Sequence, residues 1–473
     1  MSHIRLLKHY VNLPFLFLGI AEFALFYALG VNLAVQTGDS GYNDLLYVPY
    51  SASSRALIFA CCMACCTLAM GSYGAMRNEG IVNRALRAVV GYCLLGITAM
   101  HILFFVLPKT HLGGSVLFWA VMGSIAGVLV LRTIFTSIVD LDRFNRRVLV
   151  YGSGKLANRI VKQSTKLADS LALTVVGCVP SQTDAEPHED LKDLALEEPE
   201  DWVTFCHQQH ISEIIVAPDE RRRSMGGHMP VEEFLDCKME GVQVIDAPTF
   251  FERELSMIEI ELVQPGWMLF SDGFQYSHLR DWSKRLFDLA VSLLLVLIAS
   301  PFMILAGLAV VLETGRPMFY KQVRVGLNGK EFTIYKLRSM TQNAEKGGKA
   351  VWAQKNDARV TKVGAFIRNT RLDELPQLLN VLRGDMSFVG PRPERPQFVN
   401  ELKDQIPYYD VRHRVKPGLM GWAQLKYPYG ASVEDTENKL RYDLYYTKNH
   451  SFFMDLLILI QTVEVVLLGK GVH

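Results

Sequence analysis

Residues 366–395, FIRNTRLDELPQLLNVLRGDMSFVGPRPER, hold the densest chemistry in the chain. Asp373 and Glu374 stand side by side among Arg368, Arg371, Arg383, Arg392 and Arg395. Adjacent carboxylates repel each other, and a divalent cation relieves the repulsion. Arginines around an acidic pair suit a substrate with two phosphates, because a guanidinium binds phosphate oxygens in pairs. Leu375, Leu378, Leu379 and Leu382 recur at helical spacing, which predicts an amphipathic helix from near Leu372 with both carboxylates in its first turn. The helix dipole favours carboxylates there and lowers their pKa. A salt-bridged surface helix would carry the same Leu-Asp-Glu-Leu stretch, so that stretch alone does not make a site.

Two further basic segments strengthen the case. Residues 320–340 read as a hairpin around Asn328-Gly329 that carries Lys321, Arg324, Lys336 and Arg338. Residues 412–424 place Arg412, Arg414 and Lys416 before a Pro-Gly turn. Basic side chains on three separated elements exceed what one solvated face needs. Elsewhere, Gly152-Ser153-Gly154-Lys155-Leu156-Ala157 follows a buried strand and opens a helix, a G-x-G-x-x-A turn that aims helix N–H groups at a phosphate. The acidic residue that should close the second strand and bind a ribose is missing. There the strand runs into Val179-Pro180-Ser181, and Asp184 comes late. Nucleotide binding and tight helix–strand packing both account for Gly152 and Gly154. Cys61, Cys62, Cys65 and Cys66 lie in an apolar run without His, Asp or Glu, which reads as packing in a membrane helix.

The elements that must position these residues are of two kinds. Half of the 473 residues are hydrophobic, and the excess lies before residue 140 and between 286 and 312. Net charge is +1, which offers no global field for nucleic acid. Residues 11–35, 56–73, 88–107 and 114–135 have the length and apolarity of membrane spans. Arg5 and Lys8, then Arg77, Arg84 and Arg87, then Arg143, Arg146 and Arg147 alternate with loops bearing only Lys109 and a marginal Arg55. Both ends of the bundle are therefore expected in the cytoplasm. Glu22 and His101 lie at membrane depth. They are either functional groups or a mutual hydrogen bond that holds the bundle. Strands expected at 147–151, 173–179, 213–217 and 242–246, with helices between, make a parallel doubly wound sheet. Arg221-Arg222-Arg223 reads as a solvated loop or a headgroup contact. The run from Leu286 to Leu312 is long enough to cross, yet a crossing would put the charged remainder outside the cell. Ser300-Pro301 is expected to break the helix there, so that the segment enters the membrane and returns. Lys284, Arg285 and Arg316 would then flank one headgroup layer. The expected architecture is membrane α plus α/β: a four-helix transmembrane bundle at 1–140, a Rossmann-like cytoplasmic domain at 141–265, and a catalytic domain at 266–473 with a re-entrant helix at 284–312.

Residues 281–473 resemble the bacterial sugar transferase domain of the monotopic phosphoglycosyl transferases. The resemblance rests on Lys284-Arg285-Leu286-Phe287-Asp288, the Ser300-Pro301 pair, KLRSM at 336–340, TRLDELPQL at 370–378, GDMSFVGPRPE at 384–394 and KPGLMGWAQ at 416–424. The whole chain is similar to large members that prime exopolysaccharide synthesis, and residues 351–364 and 406–418 are similar to the branch found with exosortase and PEP-CTERM loci. The resemblance implies that Asp373 attacks the β-phosphate of a UDP-sugar and releases UMP. Undecaprenyl phosphate would then attack the glycosyl-phosphoryl aspartate. It further implies Mg²⁺ held by Glu374 and Asp373, and substrate contacts from Arg324, Lys336, Arg338, Ser339, Arg371, Arg392 and Arg414. Membrane lipids are the expected surroundings, the bacterial inner membrane the expected location, and the four-span bundle is suited to a homodimer.

Two other classes compete. A glycosyltransferase passing the sugar alone would release UDP and usually carry an Asp-x-Asp metal motif, and the one approach to it is Asp140-Leu141-Asp142, beside span four. A membrane nucleotide sensor built on the Gly152 turn would leave residues 366–395 without a task. Nothing in the sequence selects the hexose.

Overall fold

The computed structural model describes residues 3–6, 9–36, 50–70, 85, 88–112, 114–138, 146–166, 173–181, 184, 188–220, 229–263, 266, 268, 271, 273–274, 277–341, 359–427 and 432–468. Lys8, Arg77, Arg84, Arg87, Asp140, Asp142, Arg143, Arg221, Arg222, Arg223 and residues 351–358 lie outside them, and with them most of the loop charges used for orientation. The chain divides into two compact units at Leu255 and Ser256.

After two short strands at His3–Leu6 and His9–Asn12 come four apolar helices, α1 (Leu13–Gln36), α2 (Ala52–Ala69), α3 (Ile97–Val106) preceded by a π turn at Val90–Gly96, and α4 (Gly114–Ile138). Three of them, α1, α2 and α4, are long and apolar enough to cross a membrane. Glu22 does not meet His101. Its carboxylate accepts two hydrogen bonds from Arg132 of α4, at 2.6 and 3.2 Å, with both side chains buried. His101 Nδ1 instead lies 2.8 Å from the Ile97 carbonyl of its own helix. Arg132 is the partner the sequence reading overlooked. A buried carboxylate needs an opposite charge more than it needs an imidazole.

The α/β part follows as β1 (Arg146–Tyr151), α5 (Lys155–Lys166), β2 (Leu173–Val179), α6 (Trp202–Gln208), β3 (Glu213–Val216), α7 (Val231–Met239), β4 (Gln243–Asp246) and α8 (Ala247–Leu255). All strands pair in parallel in the order β2-β1-β3-β4, with both faces covered by helices, as the near-continuous apolar strands require. Arg146, read as an orienting loop charge, belongs to the sheet and is largely buried. Its guanidinium reaches Glu213 at 2.8 Å and Glu254 at 2.7 Å, and Arg253 completes a buried ring of four charges.

The second unit contains α9 (His278–Thr314), a hairpin of β5 (Phe319–Val325) and β6 (Glu331–Leu337), and α10 (Lys362–Asn369). After a 3₁₀ turn at Leu372–Gln377 come α11 (Leu378–Arg383), β7 (Ser387–Val389), α12 (Pro396–Gln405), β8 (Gly418–Met420), α13 (Trp422–Lys426), α14 (Val433–Asn449) and α15 (Phe452–Leu468). Its core gathers Leu378, Phe388, Tyr409, Trp422, Leu444 and Ile458, and also Ile258, Ile260 and Val263. The boundary expected near 265 therefore falls earlier, because those three side chains find their apolar partners in the catalytic unit.

Helix α9 is not broken at Ser300-Pro301 but runs helically through both residues. Pro301 lacks the N–H that would bond Leu297 O, and the Ser300 hydroxyl donates to that carbonyl at 3.1 Å instead. Both ends of α9 are gripped by the same unit. Near the start, Lys284 reaches Asp455 at 2.6 Å, Arg285 donates to the carbonyls of Val381 and Leu382, and buried Asp288 accepts from Ser387 Oγ and Phe388 N. At the end, Glu313 accepts from the Lys362 and Val363 amides that open α10. Between these grips Leu293, Leu297, Phe302, Leu305 and Leu312 are exposed.

Candidate active site

The carboxylate pair lies on a 3₁₀ turn, not in the first turn of an α-helix. Pro376 removes the amide that would close an α-turn on Leu372, so the chain tightens until α11 begins at Leu378. Arg371 enters the turn with φ +59°, a left-handed backbone that is strained for a residue other than glycine. Leu372 packs against Leu337, Ile367 and Val310, and Leu375 packs on the main core. The acidic residues are thus held between two half-buried leucines.

The hairpin has the expected turn, with Asn328 at φ 53° and Gly329 at φ 77°. It brings Lys336 to the pair: Lys336 Nζ donates to Glu374 Oε1 at 2.7 Å. Arg392, beyond β7, donates to the same oxygen at 2.8 Å, and Arg371 lies 4.0 Å from Oε2. Arg392 is delivered by the pairing of β7 with β8, whose register sets Ser387 against Gly418 and Val389 against Met420. A Cβ at Gly390 or Gly418 would collide with the facing backbone, which is why both motifs carry glycine there.

The two carboxylates differ. Burial raises the Glu374 pKa, but Arg392 and Lys336 outweigh it and hold the group well below the usual range. Burial, with Glu374 beside it, pushes Asp373 up to about 6. Among the described residues Asp373 has no hydrogen-bond or ion-pair partner. Lys336 is itself lowered by burial, which Glu374 opposes.

Of the expected substrate contacts, Arg324 and Arg338 bond to other groups of the protein. Arg324 donates to Gln322, to the Pro393 carbonyl at 2.9 Å and to Glu394. Arg338 caps the end of α9 through the Thr314 hydroxyl and the Gly315 carbonyl. The Ser339 carbonyl accepts from Thr361 N. Arg412 is buried on Asp443 and also donates to the Arg392 carbonyl at 2.9 Å. Arg414 is exposed at the end of its 3₁₀ turn. Consecutive carbonyls at 392 and 393 are thus held by two arginines, which fixes the loop that presents Arg392. Asp443 carried no signal in the sequence, since only the fold sets it against Arg412. The residues brought together are Asp373, Glu374, Lys336, Arg392 and, at longer range, Arg371.

These residues do not fit a Mg²⁺ ion held by the protein alone. No group of three or more His, Cys, Asp and Glu suited to a metal occurs among the described residues, and Glu374 already shares one oxygen between two cations. The Gly152 turn is filled as well. Lys155 N and Leu156 N both donate to the Asp219 carboxylate at 2.9 Å, and Ser153 N donates to Asp184 at 2.7 Å. Asp219 occupies the place of a phosphate at the head of α5.

A paired acidic and basic site beside a long apolar helix suits a membrane-associated enzyme that handles phosphorylated groups. The family description "Bacterial sugar transferase" matches residues 279–469. An Aeromonas hydrophila UDP-N-acetylgalactosamine-undecaprenyl-phosphate N-acetylgalactosaminephosphotransferase is 45% identical over 188 residues, which cover 40% of this chain and 44% of that protein. A UDP-glucose:undecaprenyl-phosphate glucose-1-phosphate transferase of Caulobacter vibrioides is 41% identical over 189 residues, covering 40% of this chain and 70% of that protein. The corresponding enzyme of Xanthomonas campestris pv. campestris is 27% identical over 416 residues, 85% of this chain and 84% of its own length. The chain belongs to the bacterial sugar transferase family, the polyprenyl-phosphate phosphoglycosyl transferases.

Proposed function

We propose that this protein transfers a hexose-1-phosphate from a UDP-sugar to undecaprenyl phosphate, as the first membrane step of exopolysaccharide synthesis. The observation that carries the reading is the unequal carboxylate pair. Glu374 is neutralised by Lys336 and Arg392, while Asp373 beside it is left unpaired and able to attack. An Asp373 carboxylate oxygen bonds to the β-phosphorus, and the bond from that phosphorus to the bridging oxygen breaks. UMP leaves with the bridging oxygen. A phosphate oxygen of the lipid then attacks the same phosphorus and expels the Asp373 carboxylate. Lys336, Arg368 and Arg392 are the cations that act on Asp373 and are placed to stabilise the developing charge. A Mg²⁺ ion accompanying the diphosphate would neutralise part of its charge, and Glu374 and Asp373 are the carboxylates that would face it. The names of the relatives, all UDP-sugar transferases to undecaprenyl phosphate, support both substrates.

The protein is placed in the inner membrane with the α/β part and the catalytic unit on the cytoplasmic side, and with α9 embedded in the membrane without a complete crossing. The support is that one unit grips both ends of α9, whereas a bilayer core is about 30 Å thick. A crossing helix would carry those two grips to opposite sides.

The test is a single-turnover reaction. Enzyme in lipid, mixed with UDP-sugar alone, is expected to release about one UMP per site and stop, the burst of a covalent intermediate. Sugar label should stay on the denatured wild type and be lost in Asp373→Asn. Enzyme that turns over with acceptor but releases no UMP without it rules out the covalent route.

A further inference from the structure

We propose that Glu374 is an internal stand-in for a substrate phosphate. In the empty site it holds Lys336 and Arg392 in place, and the diphosphate takes both cations from it on binding. The inference rests on the transferase reading and adds an exchange step to it. It starts from convergence. Two cations from separate elements, strand β6 and the loop after β7, meet on a single oxygen, Glu374 Oε1, at 2.7 and 2.8 Å. Two cations also meet on one oxygen, Glu254 Oε1, in the buried ring of the first unit, but every side chain there is at most 10% exposed, whereas Arg392 is 39% exposed. Two donors converging on one anionic oxygen is the arrangement that binds a phosphate oxygen.

Glu374 and Lys336 are largely buried, with side chains 12% and 17% exposed, so two cations without a counter-charge would be costly there. Glu374 supplies that charge. Arg392 is 39% exposed, so that a ligand can reach it from solvent. Asp373, one residue away, has no such bonds among the described residues, so the cations are held off the attacking group. Exchange trades two charge-assisted hydrogen bonds for two of the same kind. The diphosphate is therefore held less tightly than bare cations would hold it, and UMP departs when Glu374 recovers its partners.

The full chain in lipid nanodiscs, with EDTA present, is titrated with inorganic pyrophosphate by calorimetry. Glu374→Gln is expected to bind at least about tenfold more tightly than wild type, because an internal competitor for two charge-assisted bonds is gone. Lys336→Gln and Arg392→Gln should bind more weakly. If Glu374→Gln is too unstable to titrate, Glu374→Asp serves, since its shorter side chain cannot hold both cations in their present places, and the same tightening is expected. Unchanged or weaker binding in whichever variant folds overturns the proposal. In that case a wild type that still releases UMP from UDP-sugar leaves the transferase reading standing. If wild type and variant alike bind neither pyrophosphate nor UDP-sugar, the transferase reading falls as well.

Discussion

Asp373 must be ionised to attack, and burial with a neighbouring carboxylate raises its pKa to about 6. The ionised fraction falls as pH drops through that value, so kcat/KM for the UDP-sugar should level off above pH 6 and fall about tenfold per unit below it. Arg392 is among the groups that lower the Asp373 pKa, so Arg392→Gln should move this acid limb to higher pH as well as lowering the plateau. A pH–rate profile of both proteins tests it, and an unmoved limb would take Arg392 out of the electrostatics of Asp373. The arginines divide by what they hold. Arg412 lies buried between Asp443, Tyr409 and the Arg392 carbonyl, so it positions Arg392 and does not meet substrate. Arg412→Ala strands Asp443 and should cost about 3–5 kcal/mol of stability by denaturant titration. Arg412→Lys keeps the charge but cannot span both partners, and should raise KM more than it lowers the melting temperature.

Elements place these residues through a few local rules. Pro376 converts an expected α-helical turn into a 3₁₀ turn, and both carboxylates still lie at its head. Pro301 acts differently, because Ser300 satisfies the carbonyl that proline leaves open and the helix continues. Proline therefore does not set the topology of α9. The grips at Lys284, Arg285, Asp288 and Glu313 do. A cysteine replacing exposed Lys330 at the hairpin tip should be labelled only from the cytoplasmic side of inside-out and right-side-out vesicles. Pro301→Ala should leave that pattern unchanged. Labelling from the opposite side in either protein would mean that α9 crosses the membrane.

At the scale of the molecule, the division at Leu255 decides which truncations survive. A chain beginning at Ser256 keeps Ile258, Ile260 and Val263 in the catalytic core and the hydrogen bond from Trp422 Nε1 to Ser256 O. It should fold and retain transfer activity. A chain beginning at Arg280 loses those three side chains, roughly 5–9 kcal/mol of burial, which approaches the whole stability of a domain. Expression and melting curves of the two truncations test this, and equal stability would return the boundary to the later position. The sequence by itself determined the membrane helices, the parallel sheet, the hairpin and the Asp373-Glu374 pair among basic groups. Periodicity, glycine turns and charge adjacency are local properties written along the chain. Only the tertiary structure decided that Glu22 meets Arg132, that Asp219 fills the Gly152 turn, and that Arg324, Arg338 and Arg412 hold backbone or buried carboxylates while Lys336 and Arg392 reach Glu374. A cation binds whichever anion folding brings within about 3 Å. That distance is set by packing between residues such as Glu22 and Arg132, 110 positions apart, or Lys284 and Asp455, 171 apart, and no local pattern encodes it.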